Sequence, residues 1–128
     1  MNRPRRWSRP AIAFALLLLV VSLLPAPETG GSTVGLLGIA ADKLVHVGSY
    51  AVLTVLLAQA RDGRTIPAVA LVAAVAVGYG GGIELLQGLV PSRSPSVIDL
   101  VANAVGAVFA GLAWLLMART RARPRSEQ

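Results

Sequence analysis

Most of this chain is apolar, but ionisable and amide side chains interrupt its apolar stretches in three short groups. In chain order, the groups are Asp42, Lys43, His46 and Tyr50, then Glu84, Gln87 and Arg93, then Asp99 and Asn103. Because a charge in an apolar segment costs free energy, each group needs a structural or chemical reason. A histidine among carboxylates can transfer protons near neutral pH. Basic, amide and hydroxyl groups can instead bind a phosphate or carboxylate.

His46 and Glu84 form the candidate catalytic pair. His46 is the only histidine in the chain, and its imidazole could accept or release a proton. Glu84 could act beside it as a general base. Both residues also have a structural interpretation, in which His46 bonds to a neighbouring helix and Glu84 pairs with Lys43 or Arg93. The sequence leaves both interpretations open.

A larger candidate set would bind the substrate, namely Asp42, Lys43, Tyr50, Gln87, Arg93, Asp99 and Asn103. Lys43 and Arg93 supply the positive charge that a phosphate or carboxylate ligand requires. Arg93 stands among serines, so a solvated loop charge is the competing interpretation. Asp99 can cap a helix and Asn103 can join two helices, and these structural roles compete with ligand binding.

A metal site has no signature in the sequence. His46 with Asp42, Glu84 and Asp99 offers donor types that bind zinc, manganese or magnesium. However, the chain has no cysteine. It also lacks a dedicated spacing such as His-Glu-x-x-His. We therefore expect no metal ion and no other cofactor.

Long apolar blocks must position these polar groups. Of the 128 residues, 55% are hydrophobic and 14% charged, against about 25% charged in soluble domains, and the mean hydropathy is +0.67. The blocks cover residues 11–24, 44–60, 66–86 and 97–117. A spanning helix needs about 20 residues, so the first block is short and the second suffices if it begins near Asp42. The pattern predicts an all-α, polytopic bundle of four transmembrane helices.

Arginine and lysine placement predicts the orientation of the bundle. Ten of the twelve basic residues lie at the two chain ends or in the 61–64 loop, and only Lys43 and Arg93 lie on the other side. Cytoplasmic segments carry this excess, so we expect a multi-pass cell-membrane protein with both termini in the cytoplasm. The loops at 30–39 and 88–95 would then lie outside. Aromatic residues are too few, at 5%, for a basic nucleic-acid surface, and no nucleic-acid partner is expected.

The charge pattern also divides the chain into three parts. Residues 1–10 form a basic cytoplasmic N-terminus, 11–118 the membrane domain, and 119–128 a basic cytoplasmic tail. A basic start followed by a fourteen-residue apolar block is also typical of a signal peptide. The site after Leu24 is poor in small residues at the required positions, which favours a retained helix over a cleaved one.

The predicted topology brings the three polar groups to one membrane surface. The second helix starts there, the third ends there and the fourth starts there. Asp42, His46 and Tyr50 share one helical face, and Ser96 with Asp99 predicts a capping box. Small residues, in the pairs Gly78 with Gly82 and Gly106 with Ala110, predict close packing of the third and fourth helices.

Taken together, these residues resemble the VanZ-like family, which is named for a glycopeptide-antibiotic resistance protein of bacteria. The resemblance rests on Asp42-Lys43-Leu44-Val45-His46, Glu84 with Gln87, Pro91-Ser92-Arg93, and Asp99 with Asn103 and Gly106. It covers about residues 42–111. Where the family usually has an aromatic residue just after the histidine, this chain has Val47, with Tyr50 a turn later. The resemblance implies a small bacterial membrane protein and specifies no reaction.

Two main functions fit these residues. In the first, the outer polar groups bind the headgroup of a membrane lipid or a lipid-linked cell-envelope precursor, a role that the resemblance connects with glycopeptide-antibiotic tolerance. In the second, His46 and Glu84 catalyse transfer or hydrolysis on an outer-leaflet lipid, with Arg93 stabilising negative charge. A transporter or structural subunit is a third function, and it would require a homo-oligomer because four short helices leave little room for alternating access.

Overall fold

The computed structural model describes residues 8–25 and 39–121. Within these ranges the secondary structure consists of four α-helices: α1 Ser8–Leu23, α2 Ala41–Arg61, α3 Ile66–Gln87 and α4 Val97–Arg121. Three of them, α2 to α4, are long and apolar enough to cross a membrane, while α1 has 16 residues. The all-α membrane bundle predicted from the sequence is thus confirmed. The expected outer loop at 30–39, apart from Ile39, lies outside the described residues, as do most of both basic chain ends.

Local signals in the sequence set the ends of the helices. The side chain of Thr65 accepts a hydrogen bond from the backbone N–H of Ala68, and Pro67 occupies the first turn of α3. At the end of α2, Asp62 adopts a left-handed conformation with φ 52°, and the following Gly63 donates its N–H to the carbonyl of Ala58. A short turn therefore reverses the chain between α2 and α3.

Small residues, polar residues and a few large apolar ones fill the centre of the bundle, while many other large apolar residues point outward. Tyr50, Leu53, Ala76 and Ala107 form the core cluster. By contrast, many large apolar side chains are exposed, and Phe109 for example is 68% exposed. In a soluble protein this surface would aggregate, but in a bilayer it faces lipid chains.

The short helix α1 packs on the rest of the bundle. Phe14, Ala15 and Leu18 lie against the core cluster. The hydroxyl of Tyr79 on α3 donates to the carbonyl oxygen of Ala15 at 2.5 Å. A hydroxyl that lies among helices in lipid needs such an acceptor, so Tyr79 ties α1 to α3.

Glycines decide which helices approach most closely, and here one prediction was wrong. Among the described residues, Gly78 and Gly82 face open space, since a Cβ atom added at either would meet none of their atoms within 4 Å. The packed face of α3 instead passes through Gly80, four residues after the buried Ala76. Gly106 faces α2, as expected of a residue on the inner face of α4, because an added Cβ would collide with the backbone carbonyl of Val47. The closest helix pair is therefore α2 with α4, not α3 with α4.

Candidate functional site

Three helices bring their polar residues together at one end of the bundle. The ammonium group of Lys43 in the first turn of α2 pairs with the carboxylate of Asp99 in the first turn of α4. The carboxylate of Glu84 in the last turn of α3 accepts a hydrogen bond from the backbone N–H of Ser96, directly before α4. Helix termini that the sequence predicted to share a surface are thus in direct contact. We call Asp42, Lys43, His46, Glu84, Asp99 and Asn103 the polar cluster.

His46 is held in one orientation by α4. Its Nδ1 lies 2.9 Å from the amide oxygen of Asn103. An amide oxygen can only accept, so Nδ1 carries the hydrogen of this bond. In the neutral ring the lone pair then belongs to Nε2, which lies 3.7 Å from Oδ2 of Asp99. The histidine therefore directs a basic nitrogen toward the carboxylate of Asp99.

Glu84 stabilises the start of α4 and changes the predicted capping box. The side-chain oxygen of Ser96 accepts the backbone N–H of Asp99 at 3.2 Å, which is the expected half of the box. In the other half, Glu84 and not Asp99 accepts the N–H of Ser96, at 2.8 Å. The carboxylate of Asp99 consequently remains available for Lys43 and His46.

The charges of the polar cluster are unevenly exposed. Lys43 also pairs with Asp42 at 2.7 Å, and the side chain of Asp42 is 61% exposed. Asp99 is much less accessible, with 17% of its side chain exposed, and Glu84 is buried at 6%. Lys43 thus links an exposed carboxylate at the edge of the bundle to a partly buried one inside it.

Gln87 and Arg93 lie at the same end but contact α1. The amide nitrogen of Gln87 donates to the carbonyl of Ser22 at 2.9 Å, and Nε of Arg93 donates to the carbonyl of Leu24 at 3.1 Å. The expectation that Arg93 pairs with a carboxylate is wrong for the described residues. The loop after α3 carries Arg93 toward the end of α1, where unpaired carbonyl groups attract a cation.

Tyr50 lies beneath the polar cluster and inside the core. It is 4% exposed, and its ring packs over Gly80, where an added Cβ would be only 2.9 Å from the ring. The amide nitrogen of Asn103 lies over the same glycine, 2.7 Å from where a Cβ atom of residue 80 would be. Gly80 therefore makes room for the two side chains under the histidine. Its role was not predicted, since three successive glycines hide which one is packed.

Three of the candidate residues converge closely enough to share an ion. His46, Glu84 and Asp99 each offer one ligand atom, and these atoms lie within 4.8 Å of one another. They come from α2, α3 and α4, which explains why no spacing along the sequence revealed them. Together with the orienting Asn103, they could hold a cation or exchange a proton.

Comparison with known proteins supplies a family. A family model described as VanZ/LLP1 matches residues 7–118 of the chain. The match begins well before residue 42, where the resemblance in the motifs starts, and so it includes α1. No curated protein and no solved structure matches the chain.

Proposed function

Because this chain belongs to the VanZ/LLP1 family and is a helical membrane protein, we propose that its polar cluster binds the headgroup of a membrane lipid or of a lipid-linked cell-envelope precursor. The observation that carries the proposal is the position of the cluster. Its charged residues occupy the first turns of α2 and α4 and the last turn of α3, where a spanning helix reaches the headgroup layer.

Lys43 and Arg93 are the residues that would meet a phosphate. Lys43 is one-quarter exposed beside Asp42, and Arg93 is partly exposed above α1. The exposed carboxylate of Asp42 would orient hydroxyl or ammonium groups of the same headgroup. Gln87 and Asn103, at 5% and 1% exposure, would instead hold the surrounding helices and His46 in place. Binding of an envelope precursor would connect the protein with glycopeptide-antibiotic tolerance, which the family name suggests.

The lipid prediction is tested by mass spectrometry of lipids that co-purify with the intact protein. We expect Arg93→Gln to retain about tenfold less lipid, because a charge-assisted hydrogen bond of about 1.5 kcal/mol is lost. Arg64→Gln is the matched control, since Arg64 is an exposed arginine in the turn between α2 and α3, away from the cluster. Equal lipid retention by both variants and by wild type would refute headgroup binding at this site.

A second prediction concerns the side of the membrane. The excess of arginine at both chain ends supports an outer position for the cluster. Since the chain has no cysteine, single cysteines can be placed freely. We expect Ser94→Cys to react with an impermeant maleimide in intact cells and Thr120→Cys to react only after the membrane is opened. The reverse pattern would place the cluster at the cytoplasmic surface and exclude an outer-leaflet ligand.

An enzyme is the second candidate function, and the orientation of His46 favours it. Asn103 holds Nδ1, so Nε2 is directed toward Asp99 and could accept a proton from a bound lipid. His46→Gln and Glu84→Gln distinguish the two functions. If lipid retention and protein abundance persist while a cellular phenotype is lost, catalysis is favoured over binding alone.

A further inference from the structure

We propose that His46, Glu84 and Asp99 form a binding site for a divalent transition-metal cation, for which zinc is the suitable probe. One imidazole and two carboxylates are a donor set that zinc accepts, with room for water or a ligand oxygen in a fourth position. The site goes beyond headgroup binding, because zinc binding is a property of the protein alone and can be measured without lipid.

The distances between the three residues suit a small ion after modest side-chain rotation. Zinc takes nitrogen and oxygen ligands at about 2.0–2.2 Å, which in a tetrahedral site places neighbouring ligand atoms about 3.3–3.6 Å apart. Nε2 of His46 and Oδ2 of Asp99 are 3.7 Å apart, and the three ligand atoms all fall within 4.8 Å. The histidine–aspartate distance is too long for a hydrogen bond between them, but it is close to that of two ligands on one ion.

Each of the three residues is also oriented by a second protein group. Asn103 accepts from Nδ1 of His46, the N–H of Ser96 binds Oε2 of Glu84, and Lys43 holds Oδ1 of Asp99. One atom of each side chain remains for a ligand. A metal-binding histidine typically donates its other N–H to an oxygen acceptor in this way, and ligating carboxylates are themselves hydrogen-bonded.

The charges of the cluster call for a cation. Asp42, Glu84 and Asp99 carry three formal negative charges, and Lys43 neutralises one of them. Because Arg93 contacts the end of α1 instead, two negative charges remain among these residues. Glu84, at 6% exposure, lies where an unpaired charge is costly. A divalent ion would balance both charges, and it would remove the net negative charge that repels a phosphate.

The test is a zinc titration of purified, untagged protein in detergent after treatment with a chelator. His46 is the only histidine and there is no cysteine, so other strong zinc ligands are few. We expect one zinc ion per chain by isothermal titration calorimetry. His46→Gln, Glu84→Gln and Asp99→Asn should each weaken binding at least about tenfold. Asp62→Asn should leave it unchanged, because Asp62 is an exposed carboxylate in the turn after α2.

X-ray absorption at the zinc edge of the wild-type protein keeps the test decisive if a variant fails to fold. We expect one imidazole nitrogen and oxygen ligands around the metal. The proposal would be overturned by a ligand shell of oxygen atoms only or by a wild-type protein that binds no zinc. It would also be overturned if the three ligand variants bound zinc as tightly as wild type. If the protein binds zinc but retains no lipid, headgroup binding is refuted and the metal site stands. If it retains lipid after chelation but binds no zinc, the metal site is refuted and headgroup binding stands.

Discussion

Gly106→Ala is expected to lower the free energy of unfolding by about 3 kcal/mol or more, although it adds only one methyl group. The new Cβ would lie 2.9 Å from the carbonyl carbon of Val47 and closer still to its oxygen. These are backbone atoms of α2, so the contact can be relieved only by moving α2 and α4 apart. Separation would also pull Lys43 from Asp99 and His46 from Asn103.

Gly78→Ala and Gly82→Ala serve as matched controls in a neighbouring helix. Neither added Cβ meets an atom of residues 8–25 or 39–121 within 4 Å, so the free energy of unfolding should be unchanged or rise by about 0.5 kcal/mol through better helix propensity. The stability of Gly80→Ala should lie between that of Gly106→Ala and that of the controls, because its new Cβ meets the side chains of Asn103 and Tyr50, which can shift. Unfolding by dodecyl sulfate in mixed micelles, followed by circular dichroism, measures all four. Equal stability of Gly106→Ala and the controls would contradict the close α2–α4 contact.

The number of helices and the location of the polar cluster could be predicted because both depend on patterns along the chain. Apolar blocks long enough to span a bilayer determine the helices. Because successive helices cross in opposite directions, the start of α2, the end of α3 and the start of α4 must lie at the same surface. Lys43 on α2 and Asp99 on α4 could therefore be placed at one end of the bundle without coordinates. The start of α2 at Ala41, three residues before the apolar block, follows from the polar first turn.

Helix rotation could not be predicted, because α3 is apolar on nearly all sides. Gly78 and Gly82 fit a known packing motif, but the buried residues Val72, Ala76 and Gly80 define a different face. In a membrane, apolar side chains can face lipid or protein, so hydrophobicity does not distinguish the two sides. Several rotations of α3 about its axis then fit the small residues equally well.

Loop paths and side-chain partners also required the structure. Arg93 was expected to neutralise a carboxylate, yet the loop carries it to the carbonyl of Leu24. The capping box predicted from Ser96 and Asp99 is completed by Glu84, twelve residues before Ser96. Both differences arise because a helix terminus accepts whichever donor or acceptor the tertiary fold supplies. The position of Arg93 changes the net charge of the cluster, which is the basis of the proposed cation site.

Lys43→Gln is expected to lower the free energy of unfolding by about 2 kcal/mol, and more than Asp99→Asn does. Breaking a buried ion pair costs about 3–5 kcal/mol, and partial exposure of 25% for Lys43 and 17% for Asp99 reduces this. The asymmetry follows from their remaining contacts. Without Asp99, Lys43 still pairs with Asp42 at 2.7 Å. Without Lys43, the carboxylate of Asp99 retains, in the part of the chain that the structure describes, only His46 at 3.7 Å.

A double-mutant cycle separates this pair from its surroundings. We expect Lys43→Gln with Asp99→Asn to cost about 1–2 kcal/mol less than the two single changes added together, since the partly buried Asp99 then carries no unpaired charge and only the exposed Asp42 loses its partner. Arg64 and Asp62 provide the control cycle, because they pair at 3.2 Å but are 67% and 56% exposed, and their coupling should stay below about 0.5 kcal/mol. A chelator must be present so that no cation replaces Lys43. Equal coupling in the two cycles would mean that water screens the polar cluster as it does the turn between α2 and α3, and the partly buried ion pair would lose its role in joining α2 to α4.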